Sequence, residues 1–467
     1  MPTKPRTHFV PAAKWLSVLC AALGSLAAQT AAPVLTLSQA VAGALKNYPL
    51  VRVSQEQINA ASAGIQLARA SYLPRIDMLA QVNRATRNNV FGLLLPQSVV
   101  PSMSGPVLGT DNLGTAWGSA IGTLVTWEPF DFGLRKAGVA AATAARAQSE
   151  TGLKKTEFDV TVAAADAYVT LIAAQETVRA AQAGVDRAEA LARTTGALVN
   201  AQLRPGEDAS RAQAELAAAR TQLIQSRQAV EVSRANLAQF VGLEPAGITA
   251  AAPQLLQLPP DQAAAPPDTA ANPASVAQHA VVEQLKAQLK ILERSYFPHF
   301  YLQGSAYARG TGAEVNGTNL GGLNGLAPNT QDYALGFTVA FPVMDRVSLR
   351  AKEAGQSAAV RAEAARYQQI AVDLKARWNV AVANLAGARN VADNTPVQVA
   401  AARTATEQAT ARYQSGLGNI DAVAEAQRLL AQAEIDDALA RLAVWRGLLG
   451  VASAAGDIQP FLAEAGQ

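Results

Sequence analysis

Residue types that catalyse reactions or hold metals are scarce in this chain of 467 residues. It contains one cysteine, Cys20, and three histidines, of which only His279 and His299 lie beyond the first 28 residues. Those two histidines lack the close spacing of metal ligands on one helix or loop. Neither a glycine-rich phosphate loop nor a nucleophile elbow is present. We therefore expect no enzyme activity, no cofactor and no metal centre.

One pair of carboxylates remains as candidate chemistry. Asp421 and Glu425 are four residues apart, so they lie on one face of a helix. Such a pair attracts cations where several copies surround a narrow passage. Otherwise it is an acidic face in contact with water, and the sequence leaves both interpretations open.

The first 28 residues have the pattern of a secretory signal peptide, with three basic residues before an apolar run that ends at Ala28. Leu19 is too large for the small-residue box before a lipid-modified cysteine, so we expect cleavage near Ala28 without lipidation of Cys20. Cleavage leaves 39 − 3 = 36 basic residues against 36 acidic ones, which argues against a nucleic-acid partner. We find no later run of about twenty apolar residues and expect no transmembrane helix.

The chain contains an internal repeat. Residues 71–75 (SYLPR) and 295–299 (SYFPH) each follow a helical pattern and precede an alternating one, at an offset of 295 − 71 = 224. We predict a first repeat, a Pro/Ala-rich linker, a second repeat and a C-terminal tail. Their bounds are 29–244, 245–272, 273–455 and 456–467.

Each repeat contains two segments in which apolar and polar residues alternate, as in a strand with one buried face. The predicted strands are about 72–87, 115–128, 299–310 and 331–342. Each is long enough for a tilted membrane-spanning strand, although the same alternation also describes soluble hairpins. Four strands cannot close a conducting barrel, and an open sheet edge cannot lie in lipid. Strands in a membrane would therefore require several chains to share one barrel.

Two helices follow the strands in each repeat. Apolar residues recur in them every seven positions, as in the series from Leu216 to Leu237, and small residues accompany them. This spacing predicts supercoiled helix pairs that approach closely. Pro396 is expected to start a new helix or to kink the long one. The predicted helices are about 131–203, 206–243, 346–415 and 418–450.

Taken in order, these features resemble the TolC-like outer membrane efflux family over nearly the whole chain beyond the leader. The family's marks here are the SYLPR and SYFPH corners and WEPFDFG from Trp127 at the entry to the first long helix. Two hairpin tips are also typical, LRPGEDASRAQAEL from Leu203 and ARYQSGLGNIDAVAEAQRLL from Ala411, as is ANLAQFVGLEP from Ala235.

The resemblance implies a mainly α fold with a small β portion, in which the order helix-strand-strand-helix-helix occurs twice. It implies a homotrimer with a shared twelve-stranded transmembrane β-barrel in outer-membrane lipid and an α-helical tunnel in the periplasm. The family acts as the passive exit duct of tripartite efflux or type I secretion systems. Its partners are a periplasmic adaptor (membrane fusion) protein and an inner-membrane transporter of RND or ABC type.

The same resemblance assigns roles to residues of the helices. Asp421 and Glu425 are expected at an acidic aperture, where Glu425 matches the family's acidic position and Ala422 stands at the companion position. Adaptor docking is expected at the two hairpin tips, and the alternative is a pair of plain capped turns. The tip residues are Arg204, Pro205, Gly206, Glu207, Tyr413 and Gly416.

In the strands, polar residues are expected to face the barrel lumen, and aromatic residues are expected in girdles at the membrane interfaces. Both sets also fit ordinary strands. The lumen residues are Asp77, Gln81, Asn83, Tyr301, Gln303 and Arg309, and the girdle residues are Trp117, Trp127, Phe297 and Phe341.

Two other functions compete with the duct. A soluble periplasmic coiled-coil scaffold or adaptor would share the leader, the heptads and the tips, but it would not need one-sided strand pairs at equivalent places in both repeats. A simple porin would consist mostly of strands rather than helices. The sequence does not determine the exported substrate.

Overall fold

The structure is a computed structural model that describes residues 34–86, 115–261, 266, 268–314 and 318–466, and only the backbone of Asn83, Ala85 and Thr86. The expected signal peptide, residues 1–28, lies outside this range. The chain is mainly helical. In order, its elements are β1 (Val34–Leu35), α1 (Leu37–Asn47), α2 (Pro49–Ala70), β2 (Arg75–Thr86), β3 (Thr115–Phe130), α3 (Leu134–Asn200), α4 (Gly206–Val241), β4 (Thr249–Ala250), α5 (Pro273–Arg294), β5 (His299–Thr311), β6 (Thr330–Ala340), α6 (Asp345–Gln414), α7 (Ile420–Ala455) and α8 (Gln459–Ala465).

The element order helix-strand-strand-helix-helix occurs twice, and equivalent helices have similar lengths. Helices α2 and α5 each have 22 residues, and α4 and α7 each have 36. The long helices α3 and α6 have 67 and 70 residues. At a rise of about 1.5 Å per residue, each long helix spans about 100 Å.

The first long helix begins at Leu134, three residues after the expected 131, because the chain turns sharply before it. Phe132 (φ 50°) and Gly133 (φ 89°) have left-handed backbones that a helix cannot contain. The Asp131 carboxylate accepts hydrogen bonds from the N–H groups of Gly133 and Arg135 and so caps the first turn. At the preceding corner, β2 begins at Arg75 rather than near 72.

Pro396 neither starts nor ends a helix, contrary to one of our two expectations, because α6 continues through it from Asp345 to Gln414. A proline has no N–H to donate to the carbonyl four residues earlier, which belongs to Ala392. The Thr395 hydroxyl lies 3.4 Å from that carbonyl and 2.8 Å from the Asp437 carboxylate of α7. The hydroxyl has one proton and Asp437 is the nearer acceptor, so the contact with α7, rather than a substitute donor to Ala392, supports α6 at this point.

The four long strands form one antiparallel sheet in the order β2-β3-β5-β6. Its register pairs Asp77 with Leu124, Leu124 with Ser305 and Ser305 with Ala334. The register between β3 and β5 shifts between Trp127 and Phe130, as at a β-bulge. Within the described residues, β2 and β6 each pair on one side only, so both edges of the sheet are open.

The helices lie side by side as a single-layer wall. Near the sheet the order is α2-α3-α5-α6, and near the hairpin tips it is α4-α3-α7-α6. Within each hairpin the two helices meet along an apolar seam, as predicted from the heptads. Leu216 and Leu223 of α4 pack with Val185 of α3, and Leu385 of α6 packs with Val444 of α7.

A group of short elements covers the middle of the wall, and we call it the belt: residues 34–47, 245–261 and 459–465. The expected linker is part of it, because Ile248 and Leu255 are buried in the main core and β4 pairs in parallel with β1. The segment expected as a tail contains α8, which buries Phe461 beside Trp445 of α7. Prolines predict irregular backbone, but irregular backbone can still bury apolar side chains.

Helix α7 differs from the expectation that no segment has the character of a transmembrane helix. By length and composition alone, it is the one helix among the described residues apolar enough to cross a membrane. Its Leu442, Trp445 and Leu449 are buried in the main core, which also contains residues of α3 and of the belt. We therefore interpret its apolar character as that of a packed wall helix.

Candidate functional site

The strand register brings the predicted lumen residues to one face of the sheet. Asp77 and Gln81 of β2 lie opposite Leu124 and Ala120 of β3, and residues of β5 at odd positions continue the same face. Asn83 occupies a position on this face, although its side chain lies outside the described residues. Tyr301, Gln303 and Arg309 follow on β5.

This polar face carries its own charge pairs. Arg309 lies 3.0 Å from Asp332 of β6, and Arg75 lies 2.9 Å from Asp77. Small residues such as Gly122 and Gly336 fill much of the remaining face. Asp332 was not among the predicted lumen residues, although alternation puts it on the polar side of β6; its pairing opposite Tyr307 adds it to this polar face.

The opposite face of the sheet is apolar and strongly exposed. Met78 of β2 is 81% exposed, Tyr333 and Leu335 of β6 are 87% and 78% exposed, and Phe337 is 63% exposed. Such a contiguous apolar surface on an otherwise polar chain marks contact with lipid or with another protein.

Aromatic residues mark both ends of this apolar face. Trp117 lies near one end of β3 under Arg84, and Trp127 lies near the other end, where its indole N–H donates to the Tyr72 carbonyl. Ten residue steps of about 3.4 Å separate the two tryptophans along β3, and a strand tilted by about 45° would place them about 24 Å apart along a membrane normal. That height matches the apolar band of about 25 Å of outer-membrane barrels. Phe297 and Phe341 lie beside the Trp127 end and are 38% and 66% exposed.

The two hairpin tips have the same backbone design. After α3 the left-handed residue is Gln202 (φ 60°), and after α6 it is Gly416 (φ 83°). The next N–H at each tip, from Leu203 or Leu417, donates to the carbonyl five residues earlier at 2.9 Å. Both are Schellman turns. They expose a leucine at each tip, with Leu203 70% and Leu417 75% exposed.

Not all predicted tip residues are available to a partner protein. Pro205, Gly206 and Glu207 are exposed, as is Gly416. The Tyr413 side chain, however, is only 1% exposed, so in this structure its side chain is not accessible to an adaptor. Tyr413 is buried because it fills the space between the two tips.

Arg204 and Tyr413 instead fasten the two hairpins together. The Arg204 guanidinium lies 4.4 Å from the Tyr413 ring centre and donates to the carbonyls of Tyr413 and Gly418. The Tyr413 hydroxyl donates to the Asp208 carboxylate at 2.9 Å. Burial raises the pKa of the Tyr413 phenol, and the bond to Asp208 adds to that rise, so Tyr413 remains a donor at neutral pH. The sequence did not predict this role of Asp208, because it indicates only an acidic residue in the first turn of α4.

The predicted aperture residues carry basic partners. Asp421 is 3.4 Å from Arg211 of α4, and Glu425 pairs with Arg428 one turn along α7. The Asp421 and Glu425 side chains remain 63% and 70% exposed. Their attraction for cations is therefore reduced by adjacent arginines but not abolished, since exposed pairs are weak.

Further ion pairs join the two hairpins between the tips and the belt. Arg187 of α3 binds Glu434 of α7 at 2.8 Å, and both side chains are about three-quarters buried at 26% and 20% exposure. Nearer the sheet, Arg446 of α7 binds Asp166 of α3 at 2.9 Å. Polar contacts thus connect hairpins that are each held internally by apolar seams.

The two histidines lie far from any shared site. His279 is on α5, with its ring 5.9 Å from Tyr367, and His299 begins β5, where its Nδ1 is 2.7 Å from Glu128.

Asp131 lies at the junction between β3 and α3, where burial alone would raise the pKa of its carboxyl group. The N–H groups of Gly133 and Arg135 and the Arg135 guanidinium outweigh it and hold the pKa below its ordinary value.

The chain thus combines a one-sided sheet with two open edges, a helical wall about 100 Å long and two matched tips. The profile of the family described as "Outer membrane efflux protein" matches residues 40–243 and 269–457. The chain belongs to the outer membrane efflux protein family. A search of curated protein sequences gave no match.

Solved outer-membrane channels share the fold of this efflux protein. Campylobacter jejuni CmeC is 15% identical with a TM-score of 0.70, and the match covers 90% of this chain and 85% of that one. The open state of Neisseria gonorrhoeae MtrE is 18% identical with a TM-score of 0.67, covering 90% and 89%. The channel OprN is 20% identical with a TM-score of 0.70, covering 90% and 89%. The resemblance inferred from the sequence is thereby confirmed, and the chain is an outer-membrane exit duct of the efflux type.

Proposed function

We propose that three copies of this efflux protein assemble into one duct, with a shared twelve-stranded barrel in the outer membrane and a helical tunnel in the periplasm. The observation that carries the proposal is the four-stranded sheet with one exposed apolar face and open edges at β2 and β6. Unpaired backbone groups at such edges cannot remain in lipid, so the edges must pair with other copies.

The strand directions suit this closure. Neighbouring strands of the sheet are antiparallel, so β6 runs opposite to β2. When β6 of one copy meets β2 of the next, the alternation continues around the barrel without a parallel joint. In such a barrel the polar face with Asp77, Gln303 and Arg309 would line the lumen, and the apolar face with Met78 and Leu335 would contact lipid.

The helical wall closes in the same way. Its edges are α6 on one side and α2 with α4 on the other, and each edge presents apolar side chains to solvent. Val372 and Val397 of α6 are 64% and 67% exposed, and Leu67 of α2 and Ile224 of α4 are 76% and 65% exposed. Contact between the α6 edge of one copy and the α2–α4 edge of the next would bury them.

At the tips, the duct would dock a periplasmic adaptor protein that links it to an inner-membrane transporter of RND or ABC type. The exposed Leu203 and Leu417, with Pro205, Gly206 and Glu207 beside them, offer an apolar contact with an acidic border. Asp421 and Glu425 would lie just inside, at a cation-favouring aperture that the Arg204–Tyr413 contact holds closed.

The decisive experiment tests the joint between copies. In a background with Cys20→Ser, Leu335→Cys on β6 is combined in turn with Ile76→Cys, Met78→Cys or Val82→Cys on the same face of β2. At least one pair should give oxidised trimers on a non-reducing gel of outer membranes.

The matched control is Leu335→Cys with Ile121→Cys, which is equally on the apolar face but on β3. Since β5 separates β3 from β6 within a copy and β2 separates them between copies, this pair should not crosslink. Absence of any crosslinked species for all β2 pairs, in protein recovered from the outer membrane, would reject closure through these edges. Recovery only from the soluble periplasm would instead favour a coiled-coil scaffold.

A further inference from the structure

A groove runs along the junction of α6 and α7. It consists of two halves that share Ala443, and each offers about 990 Å³ of open space. The half nearer the sheet runs from Gly450 and Arg377 to Ala443, and the other half continues toward the tips as far as Asp436 and Gln398.

The groove faces away from the belt. On α7, Trp445 points to the belt, where its indole N–H donates to the Gln257 carbonyl at 2.8 Å. Ala443 and Gly447 lie about 160° to 200° around the helix from Trp445, at about 100° per residue. On α6, Arg389 donates to the Pro260 carbonyl of the belt and does not line the groove.

In the trimer of the proposed function, on which this inference rests, the belt must lie outside the tunnel. Twelve wall helices about 10 Å apart form a ring of about 120 Å, with a radius of about 19 Å to the helix axes. Three copies of the belt, each one helix thick, would fill that interior. The groove on the opposite side of the wall therefore opens into the bore.

The half of the groove nearer the sheet combines an apolar floor with positive charge. Small residues, Ala381 of α6 with Gly447 and Gly450 of α7, form the floor, and Val380 beside them is 59% exposed. Arg377 is exposed at the rim and has no ion-pair partner within the described residues. Arg446 at the other rim shares its charge with Asp166.

We propose that this half of the groove is a transit site for amphiphilic organic anions, which pass through the duct by resting an apolar body on the floor and an anionic group on Arg377. This half should not prefer cations to anions, because no carboxylate lines it. The half nearer the tips is different, since amides and the Asp436 carboxylate line it. Successive copies of the site around the bore would give weak, multiple binding, which suits conduction.

The test uses the full-length trimer in planar bilayers, with anilinonaphthalene sulfonate as the blocking probe and an aryl ammonium of similar size for comparison. Arg377→Gln should weaken the sulfonate block about 1.5-fold to fivefold, the range of an exposed charge pair. Ala443→Leu fills the shared centre of the groove from an exposed position and should also weaken the block. The aryl ammonium block should not weaken in Arg377→Gln, because that change removes a positive charge from the site.

Lys375→Gln is the matched control, because Lys375 is exposed on the same helix and does not line the groove. It removes the same charge from the opposite side of the same helix, two residues away, and should leave the block unchanged. Equal sulfonate block in wild type, Arg377→Gln and Ala443→Leu would overturn the site, as would an equal loss in Lys375→Gln. Wild-type protein that forms no conducting trimer would instead contradict the proposed duct, so the two failures are distinguishable.

Discussion

The contact between Arg204 and Tyr413 should control how often the periplasmic end opens. Arg204 on the first tip donates to the Tyr413 and Gly418 carbonyls of the second and stacks on the Tyr413 ring. Arg204→Ala removes all of these contacts without touching the apolar seams within either hairpin.

The size of the effect follows from the geometry. A hydrogen bond from a charged donor contributes about 1.5 to 3 kcal/mol, and a partly exposed cation–π contact adds about 0.5 to 1 kcal/mol. The Gly418 contact at 3.4 Å is too long to contribute fully, and water replaces part of the loss when the tips separate. A net loss of about 2 kcal/mol would raise the open-to-closed ratio about thirtyfold.

The assay is the open fraction of single trimers in planar bilayers. Arg193→Ala is the matched control, because Arg193 is 73% exposed on α3 and its ion pair, with Glu189 of the same helix, is long at 3.8 Å. Tyr413→Phe, which removes only the 2.9 Å bond to Asp208, should give a smaller increase than Arg204→Ala. Equal open fractions for Arg204→Ala and Arg193→Ala in intact trimers would refute the reasoning.

Three further predictions concern the fold. Pro396→Ala gives the Ala392 carbonyl a helical donor and should stabilise the protein by about 1 to 3 kcal/mol, seen as a higher thermal midpoint; a lower midpoint would mean that α6 needs the proline. Phe461→Ala should lower the free energy of unfolding in denaturant by about 3 to 5 kcal/mol, whereas an unchanged value would show that α8 contributes nothing to the stability of the core. Burial raises the pKa of Tyr168 to about 12. Because this folded value exceeds the unfolded value of about 10, the associated stability should persist below about pH 10 and disappear as the pH rises through about 12. The difference in ultraviolet titration between wild type and Tyr168→Phe measures the pKa of Tyr168, and a value of about 10 would contradict the burial.

The regular elements could be predicted from the sequence because the heptads are regular in α4 and because weaker strand patterns occur at equivalent places in both repeats. Heptads from Leu216 to Leu237 predict the buried seam of α4, and alternation predicts four strands whose register then groups the polar residues on one face. Element ends were less predictable, since the start of α3 depends on the left-handed Phe132, a residue type that rarely adopts that conformation.

The belt and the tips were harder to predict, because their structure depends on contacts between distant parts of the chain. Nothing local in the proline-rich segment indicates that Leu255 is buried, or that Phe461 packs on Trp445. Likewise, the motif around Tyr413 indicates a tip, but its burial depends on Arg204 and Asp208 more than two hundred residues away. Motifs therefore predicted where the tips lie, while only the structure separates the exposed residues from those that hold the tips together.

The most direct test of the account is single-particle imaging of the protein extracted from outer membranes in detergent. Closure through β2 and β6 predicts a threefold particle with a barrel at one end and a tunnel of about 100 Å, the length that the helix rise gives α3. Isolated monomers, or a particle without threefold symmetry or without a barrel, would contradict it.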